Sequence, residues 1–553
     1  MKLSEDSATP SGAATPKKSK RPAVVAYLVL GLLMPLLCVL LALALGMPTP
    51  SILDGFSYQL MADTFALGRV VNPEHPLSEF FQTFYVIQHN GVYVSKYFPG
   101  IGVQLLVGIW LWHPLIGVWL TVGLFGVSLL FFLRQFFSES VALIVSLVCS
   151  LQFMVLSFLG YNYLGGSLMA LAGVWALGGG VLAVKRQQLR YSWISAAGIV
   201  VCILTRPFEG FFFMVPVTCW QLFSLLRRSK ISNWRWSWRL IAPMAIGVCF
   251  GLLTLGIYDQ RVTGNWTTLP YKLYAKIYAP YGVLFLGQHR TGSGDNSFFE
   301  SLPAPFHQMR DDYETVRHER MGHFFRVKYE DACYIGSTLF PLSISWMLLL
   351  AVASKAVWKN GLWMVCLFTM GMRLFPLLLS WSSRWLQYST VWIFPLAVLA
   401  AFGLEWFLSQ KRTRRLAEIL SIATITWLAV IYLLSFDKHL DLRWKSWTIF
   451  SNPQMQARNT VRQSLEEIPG KHLLFVQYSS SHTWGCEWVY NGPEIDAQKI
   501  VWAHDLGTQE DRRLMNYYPN RDIWLVTGPN SPKITLEHWN KSKQQFEFAK
   551  SFN

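Results

Sequence analysis

Charge is what this chain has least of. Only 14% of its 553 residues are Asp, Glu, Lys or Arg, while 52% are hydrophobic; an average soluble protein carries about 25% charged residues. Repeated apolar runs of about 20 residues are what α-helices need to cross a bilayer, and no soluble core requires so many of them. The same runs exclude an outer-membrane barrel, whose strands alternate over about 10 residues. Other absences narrow the chemistry. There is no P-loop, no G-x-G-x-x-G turn opening a helix, no G-x-S-x-G elbow, no HExxH pair and no CxxC pair. His318 and His323 miss the zinc spacing, so nothing demands a metal, although a divalent ion stays compatible with the loops. No nucleic-acid module is present either.

The formal charge of +16 reports topology rather than a polyanionic partner. Basic residues gather in short, acid-poor connections: Lys17, Lys18, Lys20 and Arg21; Lys185, Arg186 and Arg190; Arg227, Arg228, Lys230, Arg235 and Arg239; Lys411, Arg412, Arg414 and Arg415. That is the positive-inside pattern of cytoplasmic loops. Apolar runs fall near 23–46, 98–112, 114–133, 140–158, 165–184, 192–206, 208–227, 239–258, 336–354, 361–380, 384–406 and 416–436. Keeping the basic connections inside makes 98–112, which opens with Pro99–Gly100, the segment that does not cross. Eleven crossings result, thirteen if half-helices occur elsewhere. The expected fold class is therefore a polytopic α-helical bundle.

Residues 1–22 read as a disordered cytoplasmic tail, 23–436 as the membrane module with outer loops 47–97 and 259–335, and 437–553 as a small extracytoplasmic α/β domain. In that last part "HLLFVQY", "KIVWAHD" and "RDIWLV" have strand length. "PQMQARNTVRQSLEEIPG" and "EDRRLMNYYP" read as helices between them. Six of the eight cysteines lie in apolar runs; Cys333 and Cys486 are the pair open to a disulfide.

The chemistry centres on "DGFSYQLMADTFALGRV", which begins at Asp54 directly after the first apolar run. Phe56, Leu60, Met61, Phe65 and Leu67 suggest an amphipathic helix on the membrane surface, with Asp54 at its start and Asp63 nine residues on. Taken alone, these acids are equally a helix cap and a solvated side chain. Arg206 and Glu209, in "LTRPFEG", lie between two apolar runs, where charge is expensive. They are either a structural ion pair or a ligand site. Lys96 and Arg384 stand at helix ends, where a cation also snorkels. Tyr271, Tyr274, Tyr278 and Tyr281 follow helical spacing, either as a substrate rim or as an interfacial belt.

Together, "DGFSYQLMADTFALGRVVNPEHP", "SKYFPGIGVQLLVG", "LTRPFEG" and "CEWVYNGPEID" resemble the GT-C superfold glycosyltransferases that use polyprenyl-linked sugars. These include protein O-mannosyltransferases and lipid A aminoarabinose transferases, and the motifs are most similar to a bacterial branch of the group. The resemblance implies a GT-C-like bundle of about 11–13 membrane helices in a bacterial inner membrane. It also implies a lipid-linked sugar donor, and a protein, lipid or glycan acceptor. Asp54 matches the family's catalytic base, with Asp63 in support. Lys96, Tyr97, Arg206, Glu209, Tyr271 and Arg384 are then the substrate-binding candidates, the cations for the phosphate. One departure stands out: the family's "DE" pair is "DG" here, so Gly55 removes the second acid and leaves Asp63 or Glu74 to compensate. The competing classes are a transporter or flippase of lipid-linked glycans, against which no inverted repeat is visible, and a non-catalytic envelope assembly protein.

Overall fold

The structure, a computed structural model, describes residues 20–50, 53–229, 234–278, 297–339, 342–354, 358, 361–379, 388–434, 453–479, 482, 484–529 and 533–552. Arg384 and Tyr281 lie outside the described residues.

Apolar sequence becomes helix almost throughout. Helix α1 (Lys20–Leu45) leads into α2 (Leu53–Ala66). A patch of β1 (Asn72–Pro73), β2 (Val86–His89) and β3 (Val92–Ser95) follows, then α3 (Pro99–Trp110) and α4 (Pro114–Leu133). The run at 140–158 is two helices, α5 (Glu139–Leu151) and α6 (Phe153–Gly160), broken at Gln152, whose backbone is extended. Helices α7 (Gly166–Gly173) and α8 (Gly179–Arg186) form one rod through a π-helical turn at Val174–Gly178. The bundle continues with α9 (Leu189–Thr205), α10 (Pro207–Ser229) and α11 (Trp234–Thr263). Next come α12 (Pro270–Tyr278), α13 (Ser297–Glu300), α14 (Ala304–Gly322) and α15 (Phe324–Leu339). It closes with α16 (Leu342–Ala353), α17 (Gly361–Gly371), α18 (Leu374–Leu379), α19 (Ile393–Ser409) and α20 (Arg414–Leu434).

Among the described residues, seven helices are long and apolar enough to cross a membrane, and five further apolar helices of 10–17 residues accompany them. The short α3 is one of these five. Long apolar side chains on the outer helices are widely exposed, Leu43 by 72%. Such a surface is stable in lipid, which leaves no hydrophobic penalty to escape. The chain is a multi-pass membrane protein.

The bundle interior is built on Phe125, Phe132, Trp363 and Trp392. Close helix approach depends on small residues: at Gly165, with φ of +70°, an added Cβ would stand 2.4 Å from Ile101.

The C-terminal part holds α21 (Pro453–Glu466), β4 (His472–Gln477), β5 (Ile500–His504), α22 (Thr508–Tyr517), β6 (Asp522–Thr527), β7 (Ile534–Asn540) and β8 (Gln545–Phe552). The sheet order is β5-β4-β6-β7-β8, with β5, β4 and β6 parallel and the last two strands antiparallel. The three expected strands and two expected helices are all present; the β7–β8 hairpin adds to them. No disulfide joins Cys333 to Cys486.

Strand alternation explains how the sheet docks. Leu474 and Val476 point to one face, covered by Val461 and Leu465 of α21. Leu473 and Phe475 point to the other, and there the covering residues are Leu60, Phe80, Phe81, Val86 and Tyr93. The C-terminal sheet thus shares a core with residues 53–97. Contacts between Trp484 and Asp312, 2.9 Å, and between Tyr278 and Gln82, 3.0 Å, bring α12 and α14 to the same end of the bundle.

Candidate active site

Helix α2 forms where the sequence suggested, but both its sides are covered. Met61 lies against Gly102 of α3, while Leu60 joins the core under the C-terminal sheet. It is a buried strut rather than an amphipathic helix lying on the membrane surface. Asp54 sits in its first turn.

The β2–β3 hairpin delivers the next residues. His89-Asn90-Gly91-Val92 makes the reversal, with positive φ at Asn90 and Gly91, the backbone that an Asn-Gly pair favours. Ser57 Oγ of α2 donates to the Tyr85 carbonyl, 2.6 Å, and lies 2.7 Å from Ser95 Oγ, fixing the hairpin against α2. Lys96 and Tyr97 leave the end of β3 here, before Pro99 starts α3 at a position that needs no N–H. Tyr97 donates its hydroxyl to Asp54 Oδ1 in a short hydrogen bond, and its ring stacks on Tyr58 with centroids 4.3 Å apart. Tyr258 of α11 holds the Tyr97 carbonyl at 2.9 Å.

Lys96 is buried, and its ammonium is ringed by tyrosines. The Tyr85 centroid is 3.3 Å from Nζ, Tyr271 and Tyr274 are at 4.7 Å, and Tyr97 is at 5.1 Å. Among the described residues Lys96 forms no ion pair; Asp54 only reaches it electrostatically. Burial pulls the ammonium down to about 7, with the Asp54 charge opposing. A buried cation without a counter-ion is costly, and rings alone return about 2 kcal/mol.

Arg206 fills the junction between α9 and α10. Its guanidinium donates to the Leu164 carbonyl at 3.1 Å, lies 4.8 Å from the Tyr388 ring centre and stands 4.0 Å from Glu209. Asp54 and Tyr58 are within its electrostatic reach. One carboxylate therefore faces two buried cations, Lys96 and Arg206, across tyrosine walls.

Asp63 is placed elsewhere. Nine residues along an α-helix are two and a half turns, about 13 Å of rise and the opposite side of the helix. Asp63 accepts from Gln59 at 2.7 Å and lines a cavity toward α21. It does not share a pocket with Asp54. Glu74 accepts from the Gly91 amide at 2.7 Å, so it braces the hairpin. A Cβ at Gly55 would meet Pro50 at 3.4 Å and Tyr163 at 3.9 Å, within packed structure. Tyr278 is structural, bonding Gln82 and Gln88. Among the described residues no group of three or more His, Cys, Asp or Glu side chains is placed to hold a metal ion.

Sequence reasoning missed Tyr58, Tyr85 and Tyr388. Tyr58 was legible, being four residues after Asp54 and hence on the same helix side. Tyr85 and Tyr388 carry no such signal, because only the fold brings them to Lys96 and Arg206.

These elements define a membrane bundle with Asp54, Lys96 and Arg206 gathered among tyrosines at one end, which an α/β layer caps. The chain has the GT-C fold. The crystal structure of ArnT from Cupriavidus metallidurans in the apo state is similar to it over 92% of this chain and 93% of that chain, with a TM-score of 0.50 and 14% sequence identity. No family model matches the chain, and no curated protein does.

Proposed function

We propose that this protein is a membrane glycosyltransferase, moving a sugar from a polyprenyl-phosphate donor to an acceptor hydroxyl at the extracytoplasmic face of a bacterial inner membrane. The observation that carries the reading is a buried ammonium, Lys96, that lies within electrostatic reach of Asp54 but has no ion-pair partner among the described residues. An anion entering the site relieves that cation, and the phosphate of a lipid-linked sugar is an anion held at membrane depth. The positive-inside pattern supports a cytoplasmic side for the basic connections and the opposite side for Asp54 and the C-terminal sheet.

The acceptor oxygen attacks the anomeric carbon as the carbon–oxygen bond to the phosphate breaks. The acceptor proton passes to Asp54, and the electron pair of the broken bond leaves on the polyprenyl phosphate. Attack opposite the leaving group inverts the anomeric centre. Tyr97 holds one Asp54 oxygen, so the other is left for the acceptor hydroxyl. Lys96 and Arg206 stabilise the departing phosphate, which needs charge more than protonation.

The test is Asp54→Asn, assayed by release of polyprenyl phosphate from a lipid-linked sugar in nanodiscs. Asn preserves shape and accepts the Tyr97 hydrogen bond but cannot take a proton. Turnover should fall at least about 100-fold with the melting temperature unchanged. Near-normal turnover in folded protein overturns the assignment.

A further inference from the structure

A second polar site lies on the far side of α2. A cavity of about 190 Å³ opens between α2, the Thr49–Pro50 turn, α21 and residues 490–492. One wall is aromatic: Phe56 and Tyr490 stack at 4.1 Å, only 5° from parallel. This stack is fixed from behind by Arg458, which donates to the Trp488 and Tyr490 carbonyls at 2.8 and 3.2 Å and lies 4.9 Å from the Phe56 ring centre. The rest of the lining is polar, with Gln59, Asp63, Asn459 and Arg462 converging on the same space.

The polar groups are incompletely used. Asp63 has Gln59 on Oδ1 and forms no ion pair among the described residues, although Arg462 lines the same cavity. Arg462 reaches outward to Glu466 at 3.3 Å, and its Nε is buried with no hydrogen-bond partner. Asn459 spends its amide N–H on Thr49, at 2.7 Å. An acid and a guanidinium that share a cavity without touching leave room for something that donates to one and accepts from the other. The rim of that aromatic stack beside such a mixed polar set suits one class of molecule. Sugar rings offer hydroxyls that both donate and accept, and C–H groups that pack against an apolar rim.

We propose that this cavity binds a hydroxyl-rich sugar ring of the acceptor, so that the acceptor of the transfer is a glycan. The inference rests on the glycosyltransferase reading for the word acceptor, but the binding site stands on its own geometry. Asp63 is about 13 Å along the helix axis from Asp54, so the ring held here is not the reacting one. It is a more distant unit of the same glycan, held so that the reactive hydroxyl reaches Asp54 around α2.

The experiment is saturation-transfer NMR on the full-length protein in detergent micelles, with methyl glycosides of glucose, galactose, mannose and N-acetylglucosamine as probes. At least one should bind wild type. Asp54→Asn should bind it equally, because Asp54 does not line the cavity. Asp63→Asn, which keeps the Gln59 contact, and Arg462→Gln should each weaken it at least 10-fold while the melting temperature stays unchanged. No binding of any probe, or binding unchanged in both cavity variants, overturns the site. Transfer lost as a reading with sugar binding retained sinks only the catalytic proposal; sugar binding lost with transfer retained sinks only this one.

Discussion

Replacing Lys96 by Met should make the protein more stable and less active. The ammonium is displaced from 10.5 to about 7 by burial. At about 1.4 kcal/mol for each pH unit, holding it in the fold costs roughly 5 kcal/mol. That figure is the net cost with the four tyrosine rings in place. Methionine keeps the length and packs well against aromatic rings, so that net cost is what the substitution removes. The pH dependence follows from linkage. A lysine whose folded value is depressed imposes its full cost below about pH 7, and the cost fades as pH rises toward 10.5, where the unfolded chain also loses the proton. Thermal melts followed by tryptophan fluorescence should therefore place Lys96→Met above wild type at pH 6, with the gap narrowed at pH 9 and closed only near pH 10.5. Farnesyl phosphate should raise the wild-type melting temperature and leave the variant unmoved. A lower melting temperature for Lys96→Met at pH 6 would refute the reasoning, because Lys96 would then be a stabilising contact rather than a cation awaiting an anion.

Tyr97→Phe keeps the stack on Tyr58 but removes the hydroxyl from Asp54; kcat should fall about 10-fold, as expected when an orienting contact is lost, with donor KM little changed, as steady-state kinetics would read. Donor KM itself should rise as pH climbs past about 7, because the Lys96 ammonium loses its proton there; a flat profile in wild type that Lys96→Met leaves unaltered would remove Lys96 from the phosphate site. Single cysteines at Gln187 and Lys541 should be labelled by an impermeant maleimide from opposite sides of the membrane, and labelling from one side would sink the topology. Tyr490→Ala takes away the ring stacked on Phe56, and a large-to-small change in such a packed site costs about 3 kcal/mol. Limited proteolysis should then cut between α20 and α21 faster than in wild type; an unchanged rate would mean that the stack does not hold the C-terminal layer down.

Much of this protein was settled by sequence alone. Apolar runs long enough to span a bilayer can only be helices, since backbone groups in lipid must bond within their own segment. Short apolar runs alternating with polar helices specified the β4, β5 and β6 strands, because each strand there is buried on both faces. Charge in an apolar setting is expensive enough to be conspicuous, which is why Arg206 was legible as a candidate, whereas Asp54 and Lys96 stood out through the motifs that carry the family resemblance. Other features required the tertiary structure. Strands of two to four residues, such as β1 to β3, carry too little periodicity to register, although the Asn90-Gly91 pair marked their turn. Whether a helix side faces lipid, water or protein depends on what lands on it, so the apolar side chains of α2 suggested one buried face where two exist. Helical geometry sends Asp63 away from Asp54, toward α21. Four tyrosines from three stretches of the chain meet at Lys96 only because the hairpin, the start of α3 and α12 converge there, and no local spacing encodes that convergence.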